Sequence, residues 1–377
     1  MEKIKILHIQ ETLGAGGVER RRYSLARCLS KERFEQKIIC TQVKHSLYEK
    51  IEKEGVEVLP VGLLKGPFDV KIHLEVQKII DSYQPDIIHG AVFEGNIMAS
   101  FNGFIKNVPI IIAEETSYPD NRSWRGNLLL KLICYLADQV VGVSPATVKY
   151  LTRYSLAPNR KIKLINNGVA LPRVVSSEEK FKLRKSLGIE EGEIVIGTAG
   201  RMLSDENKRF SDLIKSLSLL RKKFNKVKLL LLGEGDEMDN YKNLAKDLNV
   251  EENVIFVGFQ EDISLYYSIM NIFSLVSSRE GFGLVLAEAM LNKLPIVASR
   301  VGGMKYIVED GKTGFLVERY NVLEIAEKLE SLINNKELRQ KMGESGYKRA
   351  MENYTEDIYV KNVENLYLEL AKKKGLI

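Results

Sequence analysis

The sequence predicts an α/β chain of two doubly wound, mostly parallel sheets in tandem, each covered by helices on both faces. Three observations carry that expectation. Short aliphatic runs take turns with stretches of helical period through both halves of the chain, the pattern of parallel strands joined by crossover helices. Several runs end in glycine-bearing loops that open a helix, as at Gly14-Ala15-Gly16-Gly17 and Gly281-Phe282-Gly283. The length, 377 residues with 45% apolar side chains, exceeds what one hydrophobic core usually serves.

In order, the first series of expected strands is Ile4–Ile9, Gln36–Thr41, Val56–Val61, Asp86–His89 and Val108–Ala113, with an amphipathic helix over Val18–Leu29. Asn167 to Gly192 is a changeable segment where Gly168, Pro172 and Gly188 interrupt the pattern. It separates domains expected at 1–170 and 171–354. The second series is Ile194–Ala199, Lys228–Leu232, Val254–Val257, Ile272–Val276, Pro295–Ala298 and Gly314–Val317. Tyr354 to Lys374 is a last helical pattern with no strand after it.

Composition narrows the setting. Cys28, Cys40 and Cys134 form neither a paired framework nor a metal-ligand cluster, and the start MEKIKILHIQ lacks a secretory pattern. The longest apolar stretch, Leu128 to Ala137, contains Lys131 and is shorter than the roughly 20 residues that span a bilayer. A cytoplasmic protein is expected. Residues 1–170 hold 24 Lys+Arg against 18 Asp+Glu, and residues 171–377 hold 32 of each. The whole excess sits in the first half, which favours an acidic partner there without choosing among lipid headgroups, a phosphate-bearing acceptor and nucleic acid.

Three loops after strands carry the candidate chemistry, since ligands of open parallel sheets bind outside the carboxyl ends of the strands. Gly16 and Gly17 bring bare backbone and a helix N-terminus to where a phosphate could sit. Arg201 and Lys208, seven residues apart after Ile194–Ala199, can converge on one diphosphate, Arg201 as a planar fork and Lys208 as a point charge. After Ile272–Val276, Gly281 and Gly283 precede a helix beginning near Leu284. Glu280 lies on that loop and Glu288 stands one turn into an otherwise apolar helix, suiting both to sugar or ribose hydroxyls.

At these residues the chain resembles the retaining glycosyltransferases of the GT-B fold that include sucrose synthases, bacterial glycogen synthases and phosphatidylinositol mannosyltransferases. Glu280-Gly-Phe-Gly-Leu followed by three residues and Glu288 is similar to that family's two glutamates with seven residues between. Gly16-Gly17-Val18-Glu19, Val143-Ser144-Pro145, Asn167-Gly168-Val169, Gly200-Arg201 with Lys208, Leu232-Gly233-Glu234-Gly235, Phe256-Val257-Gly258-Phe259, Val301-Gly302-Gly303 and Asp310-Gly311-Lys312-Thr313-Gly314-Phe315 agree in order.

The resemblance implies two Rossmann-like domains facing across a cleft, with the helix 355–377 crossing back to the first. It implies a hexosyl transfer from a nucleotide diphosphate sugar, with no cofactor and no metal. Arg201 and Lys208 would hold the diphosphate, helped by backbone at Gly16, Gly17, Leu284 and Val285. Glu288 would bind the ribose and Glu280 would lie near the transferred sugar. Backbone from Gly281 through Phe282 and Gly283 to Leu284 would read the sugar hydroxyls, and Phe259 would border the base. Many relatives carry two histidines after the fourth strand; here His89 remains and Ala91 takes the second place. The acceptor-side group is left open among His89, Glu94 and Glu114. Arg209 also stands where a glycine often follows the lysine.

The expected partners are a nucleotide sugar, a lipid-linked or surface-glycan acceptor and an anionic membrane surface, and not nucleic acid. Two segments carry the membrane expectation: the arginine-rich Glu19–Arg33, and Arg122, Trp124 and Arg125 ahead of Leu128-Leu129-Leu130. The location is then cytoplasmic, peripheral to the inner face of the plasma membrane. Rival readings are a sugar-nucleotide epimerase or hydrolase of the same fold, and a non-catalytic partner subunit. The latter is disfavoured by the presence of Arg201, Lys208, Glu280 and Glu288 together. A dinucleotide oxidoreductase lacks its regular Gly-x-Gly-x-x-Gly spacing.

Overall fold

The computed structural model of the chain describes every residue except Met1, Ala15, His45, Ser46, Pro119, Asp120, Asn121 and Glu206. Ala15 and Glu206, within two of the candidate loops, therefore lie outside the described residues. The chain divides into two compact units: 1–168 with 355–377, and 169–354.

In the N-terminal unit the strands are β1 (Ile4–Leu13), β2 (Phe34–Val43), β3 (Glu57–Pro60), β4 (Ile87–Ala91), β5 (Ile110–Glu115), β6 (Gln139–Gly142) and β7 (Ile162–Leu164). They form one sheet in the order β3-β2-β1-β4-β5-β6-β7, every pairing parallel. In the C-terminal unit β8 (Ile194–Ala199), β9 (Val227–Leu232), β10 (Val254–Phe256), β11 (Ile272–Leu275), β12 (Ile296–Ser299) and β13 (Gly314–Val317) take the order β10-β9-β8-β11-β12-β13, also parallel. Both orders reverse once, between β1 and β4 and between β8 and β11. At such a switch point adjacent loops diverge and leave a crevice for a ligand.

Strands β6 and β7 are the two that the aliphatic pattern did not mark. Gln139–Gly142 is four residues long, begins with a polar residue and stands only two residues beyond the apolar helix Trp124–Leu136, so its aliphatic run is the pair Val140-Val141. Ile162–Leu164 is a three-residue edge strand, two of whose residues are only half-buried.

Pleat alternation decides what each face of the N-terminal sheet meets. Leu7, Ile9, Ile88 and Ile111 pack with the helices Val70–Tyr83, Val92–Ile105, Trp124–Leu136 and Pro145–Tyr154. Ile4, Ile6, Ile87, Ile110 and Ile112 pack on the other face with Leu25 of the helix Gly17–Cys28 and with Tyr359, Val363, Leu366 and Tyr367 of the terminal helix Glu356–Lys373. Thr355 caps that terminal helix, and its apolar positions recur at helical spacing, so one side of it completes this core.

The same parity carries His8 with Ile6, His89 with Ile87, and Glu114 with Ile112. His8 and His89 are direct cross-strand partners. All three point at the terminal helix rather than out of the strand ends.

Candidate functional site

At the switch point of the C-terminal sheet the loop after β11 is tied by backbone to the loops after β8 and β12. Ser278 donates its amide to the Asn207 carbonyl at 2.8 Å, and Gly303 donates to the Glu280 carbonyl at 2.9 Å. The loop after β8 is also laced to its other neighbour, Gly200 to Leu232 and Met202 to Glu234, each at 2.9 Å. Asn207 is the pin: its side-chain oxygen accepts from Arg279 Nε at 3.1 Å and from the Ser278 hydroxyl at 3.3 Å. No sequence pattern singled out Asn207, because its role depends on a loop 71 residues away.

That pin places Lys208 against Glu280, and the two form a hydrogen-bonded ion pair. Gly200 makes room, since a Cβ there would lie 3.1 Å from the stem of Lys208. Arg201, on the same loop, is exposed and has no ion-pair partner among the described residues. Arg209 adopts φ 52°, a left-handed conformation that glycine holds without strain, which accounts for the glycine often found there. Its guanidinium grips Asp212 at 2.8 and 2.9 Å and stacks 5.0 Å from the Tyr320 ring.

Gly283, at φ 103°, begins the helix Leu284–Leu291 and supplies no side-chain cap. The first amides of that helix, at Leu284 and Val285, and the positive end of its dipole thus face the loop. Gly281 and Phe282 are buried, and the Phe282 ring packs edge-on against Tyr354, so only backbone from this stretch is available to a ligand. Glu288 is half-buried, and the hydroxyl of the fully buried Tyr267 donates to its carboxylate at 3.0 Å. Tyr267 is a partner that the sequence gave no sign of. Phe259, beyond Gly258, is 43% exposed.

In the N-terminal unit Gly16 is the uncapped N-cap of the helix that starts at Gly17, directly beyond β1. The three acceptor-side candidates separate sharply. His89 and Glu114 are buried. His89 Nδ1 lies 2.7 Å from the Tyr367 hydroxyl and Nε2 lies 3.3 Å from Glu114. Burial, reinforced by Arg22, pulls the His89 imidazole down to about 4, so it is neutral at neutral pH. Burial alone would raise the Glu114 carboxyl, but Arg21, His89 and Arg22 hold it well below the usual carboxylate range.

Arg21 bonds both Glu114 and Asn167, and Arg22 stands 3.7 Å from Glu114. These groups form an internal network under the terminal helix, so His89 and Glu114, two of the acceptor-side candidates, are closed off from solvent. Counting strand parity from Ile87 and Ile112 would have found this. The same burial takes Arg21 and Arg22 out of the basic face expected over Glu19–Arg33, and Arg27 and Arg33 pair with Glu356 and Glu364. Glu94, just after β4, is half-buried and remains accessible. Desolvation raises its carboxyl, Glu11 and Glu115 add to the rise, and Arg122 opposes it.

Among the described residues no group of three or more His, Cys, Asp or Glu side chains is arranged to hold a metal ion. No described helix is long and apolar enough to cross a membrane.

Comparison with known proteins agrees with this architecture. The model of glycosyl transferases group 1 matches residues 179–349, and that of glycosyltransferase family 4 matches residues 15–173. An uncharacterised glycosyltransferase of Haemophilus influenzae is 32% identical over 342 residues, covering 88% of this chain and 90% of that protein. The capsular polysaccharide biosynthesis glycosyltransferase CapM of Staphylococcus aureus is 26% identical over 358 residues, 92% of each chain. HepE of Anabaena, solved in complex with UDP-glucose, superposes with a TM-score of 0.84 at 20% identity over 97% of this chain and 100% of that one. The two Rossmann-like sheets, the two family models and the relative at 32% identity together make this chain a glycosyltransferase of the group 1 family, with the GT-B fold.

Proposed function

We propose that this glycosyltransferase moves a hexosyl group from a nucleotide diphosphate sugar to a lipid-linked or surface-polysaccharide acceptor, with retention of anomeric configuration and without a metal. The observation that carries the donor reading is the Lys208–Glu280 pair, set at the switch point beside a helix N-terminus opened by Gly283. A leaving diphosphate would meet Lys208, Arg201 and the amides of Leu284 and Val285, and positive groups fixed where negative charge develops lower the barrier. Glu280, on the same pinned loop, would lie near the reacting sugar. Glu288, held by Tyr267, would accept from the ribose hydroxyls. UDP-glucose bound to HepE and the capsule role of CapM support the donor class and the acceptor class. Glu94, the accessible carboxyl with a raised pKa, is the acceptor-side group this reading favours.

Lys208→Ala and Arg201→Ala are each expected to weaken UDP binding by about 1.5–3 kcal/mol, roughly tenfold or more, the worth of a charge-assisted contact. Calorimetric titration reads this directly, and unchanged affinity in both variants overturns the donor site. Tyr267→Phe keeps the ring and removes the donor to Glu288. UDP affinity is expected to fall several-fold, with amide exchange protection across the C-terminal sheet little changed. Chelator added to the assay is expected to leave turnover unchanged. NMR of the product linkage checks the stereochemistry, and an inverted anomer rejects the retaining mechanism.

A further inference from the structure

The helix Trp124–Leu136 buries Leu130, Ile133 and Cys134 in the core, and the fold has no use for its outer stripe. Trp124, Leu128, Leu132 and Tyr135 recur there at helical spacing and are 71%, 59%, 38% and 77% exposed. Phe68 and Leu156, from neighbouring loops, join Leu128, Leu132 and Tyr135 around a groove of about 560 Å³. Leu156 is 76% exposed and held at φ 59°. A solvent-facing loop would place glycine or asparagine in that conformation without strain. A strained position kept by an exposed leucine points to a use for its side chain.

Charge identifies what the stripe meets. Residues 122–165 contain eight Lys+Arg and one acid, Asp138, an excess larger than the net +6 of the whole chain. Asp138 is already engaged by Lys374 at 2.7 Å and by the Ile111 amide at 2.9 Å. Arg122 and Lys163 are matched by Glu115 and Glu369. Arg125, Lys131, Arg153 and Arg160 form no ion pair among the described residues. Arg125 stacks 5.3 Å from the Trp124 ring and Arg153 lies 5.3 Å from Tyr154.

Cations and amphipathic aromatics around exposed aliphatic side chains, with no carboxylate on the helices Trp124–Leu136 and Pro145–Tyr154, match the headgroup region of an anionic bilayer. We infer that this face, and not the helix Gly17–Cys28, docks the protein on a membrane rich in anionic lipid. Trp124, Leu128, Tyr135 and Leu156 enter the interface while the cations meet the phosphates. The assignment stands apart from the donor site, which lies in the other unit.

Trp124 is the sole tryptophan of the chain, so its fluorescence reports on this face alone. With vesicles of equal parts phosphatidylglycerol and phosphatidylcholine at low salt, its emission is expected to shift to the blue and to be quenched by brominated acyl chains. Phosphatidylcholine alone is expected to leave it unmoved, and high salt to reverse the shift. Arg125→Gln combined with Lys131→Gln is expected to weaken vesicle binding about 25-fold, at roughly fivefold per cation. Leu156→Gly relieves the strained backbone and so keeps the fold, yet is expected to lower vesicle affinity about tenfold. Stabilisation by UDP is expected to be unaltered in both variants.

Trp124 emission unmoved by anionic vesicles at low salt overturns the inference. A blue shift that grows with protein concentration in the absence of lipid also overturns it, assigning the stripe to self-association. If UDP fails to stabilise any of these proteins, the donor reading falls and the membrane face is untouched.

Discussion

Glu114→Ala is expected to destabilise the N-terminal unit by about 3–5 kcal/mol, the cost of removing one partner from a buried ion pair. The variant leaves Arg21 and Arg22 buried with their charge uncompensated, and removes the carboxylate beside His89. Asn167 still accepts from Arg21, but a neutral amide does not offset a buried guanidinium. A single melting temperature is ill-defined for a chain of two units. Amide hydrogen exchange is the better measurement: protection is expected to fall across β4, β5 and the helix Glu356–Lys373, and to hold in the C-terminal unit. Protection in β5 that matches the parent protein would show that the network contributes little.

Acid acts on the same groups. The unfolded chain has a histidine pKa of about 6.5, and burial followed by Arg22 pulls His89 to about 4. Between these values the unfolded state takes up a proton that the folded state refuses. Stability is therefore complete above about pH 6.5 and is lost as pH falls toward 4, by about 3 kcal/mol for this residue. His8 is shifted the same way, by burial first and then by Arg22, and adds to the loss. The carboxyl of Glu114, depressed by its arginines, contributes its own loss only at still lower pH. Exchange protection of the N-terminal sheet is expected to drop between pH 6.5 and 4 while the C-terminal sheet changes less, and equal behaviour of both sheets over that window would contradict the assignment.

The loops after β8 and β11 stood out in the sequence because their signals are local. Glycines at 281 and 283 mark the turn that opens the helix Leu284–Leu291, and Glu288 in an apolar helix announces a carboxylate that needs a partner. What escaped was every relation between distant segments. Asn207 pins Lys208 through Ser278 and Arg279, and Tyr267 reaches Glu288 across 21 residues. The burial of His89 and Glu114 escaped for a different reason. His89 and Glu114 stand near strand ends in sequence, where ligand groups gather, yet pleat parity turns both inward. Arg21 and Arg22 similarly read as surface charge, since a one-dimensional pattern does not show that the carboxylate able to neutralise them lies 93 residues on.

The return of residues 355–377 to the first unit has a consequence for how the chain is made. The second unit is one unbroken run, 169–354, and can close as soon as its last strand and helices leave the ribosome. The first cannot: Tyr359, Val363, Leu366 and Tyr367 belong to its core, and the hydroxyl that meets His89 is on Tyr367. Translation at about 5–20 residues per second leaves residues 1–168 waiting roughly 10–40 s for those side chains. During that interval Ile4, Ile6, Ile87 and Ile110 have no cover from the terminal helix, which marks the nascent first half as the stretch a cellular chaperone would hold.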